Sequence, residues 1–151
     1  MVNNKNMKNL FRGISADNGE IITGYGMAYS EEMNLAVIIH KQGINMMHHS
    51  EVIPESVHRF TGLYDFHKIE MWEGDKFENE DDSDGFLLVV WNEEEARFQV
   101  DVYGYTMSFD ENSQEIYSNE IELVDENIFN MSDLATFECV KIGNIFINNE
   151  K

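Results

Sequence analysis

The sequence predicts a mainly β chain with at most one or two short helices. Three observations carry that expectation. Short apolar, β-branched groups recur at roughly 8–12-residue spacing with turn residues between them, the pattern of a barrel or sandwich. Residues 86–105, "FLLVVWNEEEARFQVDVYGY", read as a complete hairpin around a polar loop. A hydrophobic content of 42% with a single proline supplies a core and leaves few strand breakers.

Taken in order, "NLFRGI" and "EIITGYGMAY" are strands around "SADNG", where Asp17, Asn18 and Gly19 carry hairpin-turn chemistry. Gly24 and Gly26 interrupt the second strand and predict a bulge or bend. "MNLAVIIHKQGIN" is a strand built on Val37, Ile38 and Ile39 and closed by Gly43. Residues 50–56, with Pro54, form a connector, and "VHRFTGLY" is another short strand. In the second arm of the 86–105 hairpin, Phe98, Val100 and Val102 alternate with Arg97, Gln99 and Asp101, the signature of a half-buried strand. Residues 116–124 read as a strand and 125–137 as a short helix. Val140, Ile142, Ile145 and Ile147 close the chain around Gly143-Asn144.

At 151 residues the chain suits one domain, or one domain with a small appendage. The start, "MVNNKNMKNLF", is polar and no apolar run approaches 18 residues, so neither export nor membrane spanning is expected. The net charge of −19 repels phosphate backbones and anionic lipids, which disfavours direct binding to nucleic acid or membrane. Its plain reading is solubility. Its sharper reading is an anionic surface that occupies the nucleic-acid groove of another protein.

No catalytic constellation stands out. Glu78, Glu80, Asp81, Asp82 and Asp84 invite a calcium reading, with Gly85 as the sharp-turn glycine of an EF-hand loop. The twelfth loop position is then Trp91, where a bidentate carboxylate is required, and a strand follows where a helix should. A solvated charged loop is expected instead. His48 and His49 are adjacent, so on a strand they point to opposite faces and cannot chelate one ion together. Neither His40, His58 nor His67 falls in a helical metal motif, and no metal or other cofactor is expected. Cys139, the lone cysteine, sits in apolar "TFECVKI" and reads as an inert buried thiol. Acyl-transfer and phosphate-cradling motifs are missing. Trp72, Trp91, Tyr103 and Tyr105 are interleaved with acid, not with Lys and Arg, so packing explains them better than base stacking.

Four blocks, "FRGISADNGEIITGYG", "VIPESVHRFTGL", "EMWEGDKF" and "VKIGNIF", resemble in that order the pattern of the YopX-like proteins of bacteriophages and prophages. The likeness covers residues 10–146. Its motif positions are Phe11-Arg12-Gly13, Thr61-Gly62-Leu63, Glu73-Gly74-Asp75 and Ile142-Gly143-Asn144-Ile145. The chain departs from the pattern after Asp65, where an Asn-Gly turn is usual, and at Lys76-Phe77, where Ile-Val is usual. The resemblance implies an SH3-like barrel in residues 57–148 preceded by a β-rich segment in residues 1–56. It also implies a phage or prophage origin and a bacterial cytoplasm. It assigns no activity, and the motif residues read as backbone devices. The expectation is a non-enzymatic accessory protein that binds a protein partner or itself. An acidic mimic inhibiting a host DNA-binding protein is the alternative. A metal-assisted hydrolase using the acid run with His58 or His67 is the weakest reading.

Overall fold

A computed structural model describes residues 9–41, 46–79, 82–118, 120–129, 131–136 and 138–147. The chain divides into two compact units: the residues up to Phe60 together with Phe146 and Ile147, and the stretch Thr61–Ile145. Both are mainly β, as the apolar alternation predicts.

In the first unit, strands β1 (Phe11–Ile14) and β2 (Ile21–Gly24) form the expected hairpin, in register from Phe11↔Gly24 to Ile14↔Ile21. The Ser15 hydroxyl accepts the amides of Asp17 and Asn18, and Ser15 N donates to Glu20 O at 2.8 Å. The single strand anticipated through Gly24 and Gly26 is instead two strands in two sheets. After β2, strand β3 (Gly26–Ser30) pairs with β4 (Leu35–Lys41), which pairs in turn with β5 (Met47–Val52). Gly24 is where the two sheets touch. A Cβ there would lie 2.2 Å from the Ile39 carbonyl oxygen, so only glycine lets the backbones approach this closely.

Strand β5 corrects the connector expected over residues 50–56. His48, Ser50 and Val52 turn inward while Met47, His49 and Glu51 are exposed. The alternation is genuine, but only Val52 contributes strong inward apolarity, so the segment lacks a strand's usual composition. Pro54–Ser56 forms a 3-10 turn, and the Ser56 hydroxyl donates to Ile53 O while accepting Ile14 N. Ala36, Ile38 and Val52 make the core of this unit, with Phe11, Ile22 and Val57 packed against them.

Strand β6 (His58–Tyr64) begins beside β1 and ends beside β7 (Glu70–Trp72). Between β6 and β7 the chain reverses without the Asn-Gly pair. Asp65 Oδ1 accepts the amides of His67 (2.8 Å) and Ile69 (2.9 Å), while Lys68 takes a left-handed φ of 67°. The carboxylate does locally what an Asn-Gly turn would do through its backbone alone.

The second unit is built on a five-stranded antiparallel sheet. Its strands, in chain order, are β8 (Asp75–Asn79), β9 (Asp82–Asn92), β10 (Arg97–Gly104), β13 (Glu122–Phe129) and β14 (Lys141–Asn144). The spatial order is β13-β10-β9-β8-β14. Two short strands, β11 (Met107–Phe109) and β12 (Glu115–Tyr117), are inserted between β10 and β13 and pair only with each other among the described residues. The β9–β10 hairpin forms as expected, closing from Tyr103↔Phe86 to Arg97↔Asn92, but its second arm is not half-buried. Gln99 and Asp101, expected on the open face, are buried and hydrogen-bonded to each other. Residues 125–129, expected in a helix, extend β13, and the helix α1 is confined to Met131–Thr136. Pairing with β10 at Asp125 and Phe129 overrides the helical spacing. No sheet closes on itself among the described residues, so the class observed is mainly β with open antiparallel sheets.

Period-2 alternation sends Phe77, Leu87, Val89 and Val100 to one face of this sheet. Met131 and Leu134 of α1, Met71 and Cys139 cover that face, and Leu63, Phe98 and Val102 pack at its margin. Cys139 is therefore a buried core thiol.

Beside this core sits an almost fully buried carboxylate, Asp75. Its Oδ2 accepts Trp72 N at 2.8 Å and lies 2.9 Å from Lys141 Nζ, and its Oδ1 accepts Asn144 Nδ2 at 2.9 Å. Asn144 Nδ2 also donates to Glu73 O, and Lys141 Nζ to Glu70 O. Gly74, with φ of 86°, supplies the reversal that leads into β8.

Two outcomes follow for stability. Gly24→Ala should cost about 3 kcal/mol or more, because a backbone carbonyl cannot move aside as a side chain does. Gly26→Ala meets only the Ile39 side chain, nearest at 3.3 Å, and should stay within about 1 kcal/mol of the parent protein in the same urea unfolding experiment. Asp75→Ala should cost about 3 kcal/mol, since it removes the carboxylate that Trp72 N, Asn144 Nδ2 and Lys141 Nζ share. Lys141→Met should cost at least as much, about 3–4 kcal/mol, because it leaves the Asp75 charge almost fully buried with no opposing charge, whereas Asp75→Ala leaves a lysine that water still reaches. A loss from Lys141→Met well below that from Asp75→Ala would contradict this ranking.

Candidate functional site

The motif residues fall into structural clusters. Phe11 packs on the first core, and a Cβ on Gly13 would meet Ile38, Val52 and Ser56 at 3.2–3.4 Å. Arg12 Nε donates to His58 Nε2 at 2.9 Å. A guanidinium can only donate, so His58 Nε2 is the acceptor and Nδ1 carries the proton that goes to Ser56 O at 2.7 Å. Fully buried and stacked on Phe146, His58 has both ring nitrogens occupied. Thr61 Oγ1 donates to Met71 O and accepts Leu63 N, flanking Gly62 with its φ of 83°. Glu73-Gly74-Asp75 and Asn144, distant in sequence, meet in the buried carboxylate cluster. Gly143 and Ile142 lie on β14, Ile142 exposed, and open space surrounds the missing Cβ of Gly143.

The acid run does not form one loop. Glu78 lies exposed on β8, while Asp82 and Asp84 belong to β9, which pairs back on β8 through Asn79↔Asp82. Glu80 and Asp81 lie outside the described residues. The solvated loop expected there is thus in part a β-hairpin, because the strand starts four residues before Phe86. Among the described residues no group of three or more His, Cys, Asp or Glu side chains is placed to hold a metal ion. The histidines are nonetheless paired in a way that adjacency in sequence does not reveal. His48 stands opposite His40, not beside His49, and the two ring centroids are 6.0 Å apart. His67 sits in the turn after β6, edge-on to Phe66.

A surface not anticipated from sequence is the β11–β12 hairpin. Its base is closed by Ser118 N donating to Thr106 O and by Thr106 N donating to the Ser118 hydroxyl. Its tip uses the device found at Asp65. Asp110 Oδ1 accepts the amides of Asn112 and Gln114, and Ser113 takes a φ of 60°. The register Met107↔Tyr117 and Phe109↔Glu115 puts Met107, Phe109, Glu115 and Tyr117 on one face, with Ser108 and Ile116 on the other. Neither face is covered: Phe109 is 62% exposed, Tyr117 56%, Met107 49% and Ile116 46%. Ile121, just before β13, and Leu123 and Val124 on it are exposed as well. Asp110, Glu111, Glu115, Glu120 and Glu122 surround these residues, and no lysine or arginine occurs between Arg97 and Lys141. The sequence signal was the alternation Met107-x-Phe109 and Ile116-Tyr117 around "DENSQ", too short to stand out beside the 86–105 hairpin.

The Tyr117 hydroxyl donates to Glu115 Oε2 at 3.1 Å. That hydrogen bond first, and the carboxylate's charge second, raise the Tyr117 pKa above the usual tyrosine value. Searches against protein-family models, curated proteins and solved structures return no match to this chain.

A spectrophotometric titration checks the Tyr117 contact. Any stability tied to it is present below the unfolded tyrosine value and lost as pH rises through the higher folded one. Glu115→Gln should lower the pH at which one phenol ionises and leave the other five tyrosines unchanged. Superimposable titration curves would mean the contact is not formed.

Proposed function

We propose that this protein is a non-enzymatic binding module of phage or prophage origin, acting in the bacterial cytoplasm, that docks a basic protein partner through the β11–β12 hairpin. The observation that carries this reading is a two-stranded ribbon, with Met107, Phe109 and Tyr117 uncovered on one face and Ile116 on the other, that is ringed by carboxylates and joins no larger sheet among the described residues. An isolated hairpin is marginally stable in water, and a partner that covers its faces supplies the missing burial. Carboxylates at the rim select cationic surfaces and speed encounter with them. A second copy of the chain fits less well, because two bodies of charge −19 repel one another. The engagement of both His58 nitrogens supports a non-catalytic role for that residue. The SH3-like barrel implied by the YopX-like resemblance for residues 57–148 belongs to the same reading.

Affinity capture from a bacterial lysate, run in parallel with the parent chain and a Phe109→Ser/Tyr117→Ser variant, tests the proposal. The parent should retain a basic protein that the variant does not, and raising the salt well above physiological strength should release it. Identical retained sets, or none, would sink the proposal. Release of the captured protein by added duplex DNA would instead favour an acidic mimic of nucleic acid.

A further inference from the structure

We propose that His40 and His48 form a two-imidazole site for a divalent transition-metal ion, Zn2+, Ni2+ or Cu2+, on the inward face of the β4–β5 pair. The register sets Ala36↔Val52, Ile38↔Ser50 and His40↔His48 directly opposite one another, so all six side chains share one face. Toward Ala36, Ile38 and Val52 that face is core. Toward the histidines it opens, and both rings are half-buried. Two imidazoles bound to one tetrahedral ion, with metal–nitrogen bonds of about 2 Å, hold their ring centroids about 5 Å apart. The observed separation of 6.0 Å, with the rings 30° from coplanar, is within reach of small side-chain rotations.

The Ser50 hydroxyl lies 2.7 Å from His40 Nε2. When it accepts from Nε2–H, it leaves the lone pair on Nδ1, the arrangement in which a metal-bound histidine donates its second nitrogen to a neighbour. Two protein ligands leave the remaining positions to water, so the site is an open one, and copper should bind most tightly of the three ions. The protein's strong negative charge raises the local concentration of any cation. An ion bound there ties β4 to β5 by a cross-strand link and stabilises the folded hairpin by mass action.

His49 provides the internal control, since it pairs with Ile39 and is exposed on the opposite face. Calorimetric titration of the chelator-treated full chain with Ni2+, and separately with Zn2+, should give one ion per chain. His40→Ala and His48→Ala should each weaken binding about tenfold or more, with His49→Ala within about twofold of the parent. Imidazole NMR signals of the unmodified protein, followed during Zn2+ addition, give a readout that needs no variant. His40 and His48 should shift together while His49, His58 and His67 stay in place. Heat no greater than dilution, equal losses from His40→Ala and His49→Ala, or a shift confined to His49 or His67 would each overturn the proposal.

Discussion

The buried carboxylate of Asp75 is the constraint on which the second unit depends. A charge with almost no solvent contact is stable only when its oxygens are fully engaged, and here the donors come from two separate stretches of chain. Trp72 N closes the turn that precedes β8, while Lys141 and Asn144 arrive on β14 about seventy residues later. Satisfying Asp75 therefore fixes both the entry into β8 and the docking of β14 along its edge. Ile145 N donating to Gly74 O and Gly74 N donating to Val89 O extend the same node into the backbone. Once β8 is anchored, β9 and β10 follow by hairpin register, and their inward residues close the core under α1.

A second regularity lies in the turns. Asp65 and Asp110 each cap a reversal by accepting two amides, two and four residues ahead, and each is followed by a non-glycine residue in the left-handed region. A side-chain carboxylate can stand in for the glycine that such turns favour, with the strained φ at Lys68 and Ser113 offset by two hydrogen bonds. Part of the unusual acid content is thus structural, though a carboxylate that caps a turn accounts for few of the 29 acidic residues. Those around β11 and β12 are rim charges beside uncovered apolar side chains. The proposed docking of a basic partner rests on that juxtaposition, since Phe109 and Tyr117 stand open to water among carboxylates.

How much of this was legible depended on how local its cause was. The Asp17-Asn18-Gly19 turn and the β9–β10 hairpin were readable because turn chemistry and period-2 alternation occupy contiguous residues. The β5 strand was not, since its inward positions are His48, Ser50 and Val52 and composition gave no strand signal. Residues 125–129 looked helical because spacing alone cannot register the pull of β10 on a neighbouring strand. The motif blocks were visible as strings, but only the fold shows that Glu73-Gly74-Asp75 and Asn144 are one cluster and that His58 answers Arg12.

Composition and neighbouring residues already specify the β class, the main hairpin turns and the strong negative charge. Tertiary structure decided which residues meet. It placed His48 against His40 instead of His49, joined Asp75 to Lys141 and Asn144, and left the β11–β12 ribbon uncovered. The physical reason is strand register. Period-2 alternation says which way a side chain points, but what stands opposite it is set by pairing between distant segments, and hence by the whole chain at once.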